Sequence, residues 1–126
     1  MIKSPKKIFI LFTCEHAENK IPREYQKYFV GKQRILNTHR GYDLGTKTIG
    51  IAFGQKFKAP VVLGKYSRLL MDLNRSADHP KAFSEMTRDL TVEEKMRIKK
   101  NIMIHIEKKL RALSKKRLLK DFLSSM

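Results

Sequence analysis

The pattern of apolar and polar positions predicts a chain in which short buried strands alternate with helices. Lys7 to Thr13 is apolar on nearly every position, which is typical of a strand covered on both faces. Val61-Val62-Leu63, after Pro60, is a second short strand, and Leu69 to Leu73 is a third candidate. This order predicts an α/β fold in which helices pack on a short mixed sheet.

Helices are predicted between and after these strands. A short helix is expected over Arg23 to Phe29, and a longer one opens at Asp43, whose carboxylate we expect to be its N-cap. Helical spacing along the longer one predicts its packing positions: Leu44, Thr48, Ile51, Ala52 and Phe57. We expect loops over Cys14 to Pro22, Gly31 to Gly41, and Asn74 to Glu85.

The C-terminal third is dominated by one long helix. Thr91 and Glu94 have the spacing of a capping box, and the helix is expected to run to about Ser114. Its apolar face is predicted from five positions: Met96, Ile102, Ile106, Leu110 and Leu113. A further short helix is expected over Lys115 to Phe122.

Composition adds a strong basic charge to this picture. The chain has 126 residues, which predicts a single domain over residues 1–126, and a net charge of +16. Such a charge suits nucleic acid or another anionic partner, but we favour a solvated lysine-rich surface, because the charge is spread along the whole chain and no base-reading motif accompanies it. The single cysteine, Cys14, excludes an intrachain disulfide, and no apolar run approaches the roughly 18 residues of a membrane span. We therefore expect a cytoplasmic protein without a membrane partner.

Polar side chains follow the predicted strands where an α/β sheet binds ligands. Glu15 and His16 come directly after the first strand, and carboxylate and imidazole are usual ligands of a catalytic zinc. The alternative is that both residues brace the loop. Asp43 is either a helix cap or a side chain that points into the crevice.

A second polar cluster surrounds Leu69 to Leu73. Arg68 and Arg75 could grip a substrate carboxylate, with Asp72 between them to orient either one. The alternative is a structural arginine–aspartate pair that ties strand to loop. His79, in a turn, and His105, beside the apolar face of the long helix, are read as structural residues.

These motifs resemble a known family. The stretch from Thr13 to Pro22 (TCEHAENKIP) is similar to the opening Cys-Glu-His-Ala-x-Asn-x-x-Pro motif of the N-formylglutamate amidohydrolases. His39 to Gly45 (HRGYDLG) and Tyr66 to Arg75 (YSRLLMDLNR) resemble that family's next two blocks, in the same order. His105 falls where the family has a histidine in a long helix.

The resemblance implies a fold and a reaction. The fold would be a three-layer α/β/α domain similar to the zinc exopeptidases, of the phosphorylase/hydrolase-like type. The reaction would be hydrolysis of the amide C–N bond of an N-acyl amino acid such as N-formyl-L-glutamate, by water that zinc activates. His16 and Asp43 would hold the metal, with Glu15 as a ligand or a supporting catalytic residue. Substrate-binding positions implied by the same motifs are Asn19, Ser67, Arg68, Asn74 and Arg75.

The resemblance also implies that this sequence lacks the second half of the family domain. Family members are about twice this length, and a later His-Ser-Phe motif supplies a third metal ligand that this sequence lacks. We therefore expect the N-terminal half of the family domain, which would be weakly active alone, active with a complementing chain or as a homo-oligomer, or inactive. Alternatives are a non-catalytic basic module, which could bind nucleic acid, and a gene fragment.

Overall fold

The computed structural model describes residues 10–76 and 78–112. Within these ranges the chain forms two strands, three α-helices and one 3-10 helix. The 3-10 helix spans Arg23–Phe29, where the sequence predicted a short helix. The other elements are β1 (Phe12–Cys14), α1 (Gln33–Leu36), α2 (Thr46–Phe57), β2 (Val61–Leu63) and α3 (Val92–Ala112).

The two strands form a small parallel sheet. Phe12 pairs with Val61 and Cys14 with Leu63, and the Gly64 N–H extends the ladder by donating to the Cys14 carbonyl at 2.8 Å. No antiparallel strand accompanies them in the described part of the chain, so the mixed sheet expected from the sequence is wrong there. Of the predicted first strand, Lys7 to Phe9 lie outside the described residues.

The third predicted strand is wrong, because Leu69 to Leu73 is turn and irregular structure. Its apolar side chains are nevertheless fully buried, with Leu70 completely inaccessible. The segment therefore contributes core without contributing to the sheet. The predicted loop over Gly31 to Gly41 is also wrong in part, since α1 lies inside it.

Helix α2 packs through glycines. Its buried positions are Gly50 and Gly54, and a Cβ added at Gly50 would lie 2.6 Å from Cys14 Sγ. Glycine there lets the helix backbone approach the sheet closely. The predicted apolar face is wrong, because Leu44, Ile51 and Phe57 are all exposed.

The helix cap assigned to Asp43 is also wrong. The N-cap is Gly45, whose φ of 83° favours glycine, and no side chain caps the helix. Asp43 contributes its backbone carbonyl, which accepts the Thr46 N–H at 3.2 Å. Its carboxylate is therefore available for the ion pair described below.

Helix α3 begins as predicted. The Glu94 N–H donates to Thr91 Oγ1 at 3.2 Å, and the Thr91 N–H donates to Glu94 Oε2 at 3.3 Å, which confirms the capping box. Four isoleucine and leucine side chains at helical spacing are buried: Ile98, Ile102, Ile106 and Leu110. Met96, predicted on this face, is 65% exposed. Leu113 and the short helix predicted over Lys115 to Phe122 lie outside the described residues.

The sheet separates α2 from the main core. Val61 lies against Gly50 and Gly54 of α2, whereas Val62 belongs to the core cluster that includes Ile98 and Ile102 of α3. Because successive strand side chains point to opposite faces, the two helices pack on opposite sides of the sheet. The loops that leave the carboxyl ends of both strands therefore emerge together between these helices.

Candidate functional site

Three segments distant in the sequence meet beyond the carboxyl ends of β1 and β2. The Asp43 N–H donates to the His16 carbonyl at 2.8 Å, and the Arg68 N–H donates to the Gly41 carbonyl at 3.2 Å. Ser67, fully buried, donates its hydroxyl to the same Gly41 carbonyl at 2.7 Å and accepts the Leu69 N–H at 3.1 Å. Ser67 thus fixes the backbone that presents Arg68.

His16 is fully buried at this junction, as Ser67 is. Its side chain has no accessible surface, and its Nε2 lies 3.1 Å from Asp72 Oδ1 and 3.0 Å from the Leu73 backbone nitrogen. Its Nδ1 is buried without a hydrogen-bond partner among the described residues. The residue therefore ties the loop after β1 to the Leu69–Leu73 segment.

The two neighbours of His16 Nε2 require opposite roles from it. An unprotonated Nε2 accepts the Leu73 N–H, and the proton then sits on Nδ1. A protonated Nε2 donates to Asp72, and in the neutral ring the lone pair then sits on Nδ1. This second state is the one in which histidine binds a metal while a carboxylate orients the ring.

Asp72 is the electrostatic centre of the site. The hydrogen bond from His16 is the largest of the effects that lower its pKa to about 2, aided by the Asn74 N–H and opposed by partial burial. Its second oxygen, Oδ2, accepts from Arg75 Nε at 3.3 Å. The carboxylate is therefore ionised over the whole physiological range and bridges His16 to Arg75.

Arg68 forms an ion pair with Asp43, whose side chain is about one-third exposed. The predicted pairing of an arginine with an aspartate thus occurs, but the partner of Arg68 is Asp43 and that of Arg75 is Asp72. Arg68 Nε is buried without a hydrogen-bond partner in the described ranges.

A pocket of about 400 Å³ opens against these residues. The charged residues of the Tyr66 to Arg75 motif line it: Arg68, Asp72 and Arg75. Four further charged residues that line it were not predicted as site residues: Arg40, Lys81, Glu85 and Arg88. Arg40 binds both oxygens of Glu85, at 2.6 and 2.8 Å. The backbone N–H of Glu85 and, after it, this pairing with Arg40 lower the pKa of the Glu85 carboxyl. Arg40, Lys81 and Glu85 lie in segments predicted as loop, where spacing gives no signal, and no element was predicted at Arg88.

Other predicted site residues lie away from this pocket. Glu15 accepts a hydrogen bond from Thr13 Oγ1 at 2.8 Å and lines a very small cavity beside His105. Asn19 donates to the Leu36 carbonyl at 2.7 Å and borders a different, wider pocket. Asn74 is exposed, and its described contact is the backbone N–H bond to Asp72. Their roles in binding or catalysis remain predictions.

The donor atoms near His16 fit part of a zinc site. His16 Nδ1 is a buried nitrogen without a protein partner, and Asp72 is placed to orient the ring from the other nitrogen. Asp43 lies beside His16 because its N–H donates to the His16 carbonyl, but its carboxylate is paired with Arg68. Within the described residues no group of three histidine, cysteine, aspartate or glutamate side chains comes together.

The architecture defines an α/β protein whose candidate site lies beyond the carboxyl ends of parallel strands, the usual ligand position in this class. A family model described as N-formylglutamate amidohydrolase matches residues 8–122, so the chain belongs to this family of hydrolases. The family suggested by the sequence motifs is thereby confirmed.

A solved structure shares the fold. The crystal structure of gene product Atu2144 from Agrobacterium tumefaciens matches with a TM-score of 0.63 and 23% sequence identity. The match covers 82% of this chain and 47% of that one, so the chain spans about half the length of this neighbour. No curated protein matches the chain. No helix among the described residues is long and apolar enough to cross a membrane.

Proposed function

We propose that this protein hydrolyses the amide bond of an N-acyl amino acid, with N-formyl-L-glutamate as the first candidate substrate. The observation that carries the proposal is the meeting of three family motifs at one junction, beside a pocket that two of the motifs line. His16, Asp43 and Arg68 belong to three different motifs, yet backbone and side-chain bonds join them. Family membership over residues 8–122 supports the reaction class.

We further propose zinc as the cofactor, with His16 and Asp43 as members of its ligand set. The chemistry that zinc supplies when bound is activation of water near neutral pH and polarisation of the acyl oxygen. The chain's own contribution would be to hold the His16 ring through Asp72 and to bind the substrate. Arg68 and Arg75, which both line the pocket, are suited to a substrate carboxylate.

The proposed fold is the three-layer α/β/α domain of the zinc exopeptidase type. Its support is the packing of α2 and α3 on opposite faces of the parallel sheet, seen in the two neighbouring strand residues Val61 and Val62. The compartment we propose is the cytoplasm.

Zinc uptake provides the test of the proposed metal site. Equilibrium dialysis should show zinc bound by the wild-type chain and lost in His16→Gln. His79→Gln is the matched control, because the His79 Nδ1 accepts the Lys81 N–H at 3.0 Å within a turn and serves no proposed ligand role. Equal zinc uptake by wild type and His16→Gln would refute the site.

A basic surface favours a second candidate function, the binding of nucleic acid. Residues 44–71 contain no acidic side chain, and Lys47, Lys56 and Lys58 are exposed along or just after α2. Such binding would release counterions, so its affinity for a DNA or RNA duplex should fall steeply as salt rises. Affinity that does not change with salt would exclude it.

A further inference from the structure

The charges around the arginine-lined pocket are unevenly compensated. Five cationic side chains line it (Arg40, Arg68, Arg75, Lys81 and Arg88), together with two carboxylates, Asp72 and Glu85. Three of the arginines are already paired: Arg40 with Glu85, Arg68 with Asp43, and Arg75 with Asp72. Lys81 and Arg88 have no ion-pair partner among the described residues.

The ion pairs divide the cationic residues of the pocket into two groups. Arg68 and Arg75 would have to share or leave a protein carboxylate to bind an anionic ligand. Arg88 and Lys81 would lose no such partner. A carboxylate that enters the pocket therefore gains most from Arg88 and Lys81, to which it would supply a counter-charge.

The segment that carries Arg88 is fixed to the rest of the site by hydrogen bonds. The Arg88 N–H donates to the Ser84 carbonyl at 2.7 Å, and the Ser84 hydroxyl donates to the Leu69 carbonyl. The fully buried Thr87 donates its hydroxyl to the Leu70 carbonyl at 3.2 Å. The backbone that carries Arg88 is thus anchored directly to the segment that carries Arg68 and Asp72, which reduces the cost of ordering it on binding.

We propose that Arg88 and Lys81 are specificity-determining residues that select substrates with an anionic side chain, by binding the carboxylate distal to the scissile amide. The inference rests on the proposed function, since the pocket is taken as the substrate site. Glu85 acts against this selection, because it neutralises Arg40 within the same pocket.

Ligand affinity measured without metal separates this inference from the proposed reaction. Glutarate, N-formyl-L-glutamate and N-formyl-L-glutamine would be titrated by calorimetry in the presence of EDTA. The wild-type chain should bind the two dicarboxylates more tightly than N-formyl-L-glutamine, a monocarboxylate whose side chain is uncharged. Arg88→Gln and Lys81→Gln each remove one charge-assisted hydrogen bond, so each should lower the affinity for N-formyl-L-glutamate by about tenfold.

The controls address folding and general charge. Arg34→Gln removes the same charge from an exposed position on α1 that does not line this pocket, and it should leave every affinity unchanged. Glu85→Gln should tighten dicarboxylate binding, which no loss of fold could produce. Unfolding temperatures of all variants should match that of the wild type.

The outcomes distinguish the two proposals. If the wild type does not discriminate between the dicarboxylates and the glutamine derivative, or if neither Arg88→Gln nor Lys81→Gln changes the discrimination, the inference is overturned. Hydrolysis that persists with unchanged preference in both variants would overturn it while leaving the function intact. Dicarboxylate binding that depends on Arg88, in a chain that releases no formate, would uphold the subsite and contradict the function.

Discussion

Replacing Asp72 with asparagine should destabilise the protein in a way that depends on pH. The substitution keeps an oxygen that can accept the Asn74 N–H, but it removes the charge that faces His16 and Arg75. Asp72 is only 17% exposed, so solvent screens these interactions weakly. The variant therefore isolates the contribution of the charge.

The magnitude follows from the pKa of Asp72. The folded protein lowers this pKa from 3.8 to about 2, and one pKa unit corresponds to about 1.4 kcal/mol, so the ionised carboxylate contributes about 2 kcal/mol. A lowered pKa means that the stabilisation is present above the unfolded-state value of 3.8. It is lost as the pH falls towards the folded-state value of about 2.

Urea unfolding of wild type and Asp72→Asn between neutral and acid pH measures this difference. Asp89→Asn is the control, since Asp89 is exposed and forms no ion pair within the described residues. The difference in unfolding free energy should be about 2 kcal/mol at neutral pH and should shrink towards zero near pH 2. A difference that stays constant across this range, or that Asp89→Asn reproduces, would refute the role assigned to the carboxylate.

Three further substitutions test the fold. Gly50→Ala should destabilise the protein by about 1–3 kcal/mol, because the added Cβ would lie 2.6 Å from Cys14 Sγ. Helix propensity alone would favour alanine, so a variant that is more stable than the wild type would contradict the close packing of α2. Thr91→Ala should lower the free energy of unfolding by about 1 kcal/mol, because it removes the cap on α3. Thr48→Ala, at an exposed position, is the control, and an equal effect of the two substitutions would argue against the capping box. Ile98→Ala should cost about 2–5 kcal/mol and Ile104→Ala much less, because Ile98 is fully buried and Ile104 is 39% exposed; urea unfolding measures each.

The sequence correctly predicted those elements whose boundaries are set by residues close to one another in the chain. The capping box at Thr91 and Glu94 was predicted correctly because both partners lie three residues apart. The strand at Val61–Leu63 was correct because Pro60 and an apolar run delimit it. Leu69 to Leu73 has the same apolar signature but packs as an irregular core segment, because its backbone bonds go elsewhere, such as the Asp72 N–H to the Ala82 carbonyl at 2.8 Å.

The candidate site shows the same division. The motifs singled out His16, Asp43, Arg68 and Arg75, which the structure brings together, and their functional roles stay predictions. The motifs could not reveal that Asp43 is paired with Arg68 rather than capping α2, because that contact depends on tertiary packing. Lys81 and Arg88 belong to no periodic pattern or motif, so only the three-dimensional structure brings them to the pocket.

The central claim is that the protein hydrolyses the amide C–N bond of N-formyl-L-glutamate. The most direct measurement incubates the zinc-supplemented chain with this substrate in water enriched in oxygen-18 and analyses the formate by mass spectrometry. We predict formate that carries one oxygen from the water, released by the wild type at the low rate expected of the half-domain alone, and not by His16→Gln. Absence of formate, or release at the same rate by His16→Gln, would contradict the account.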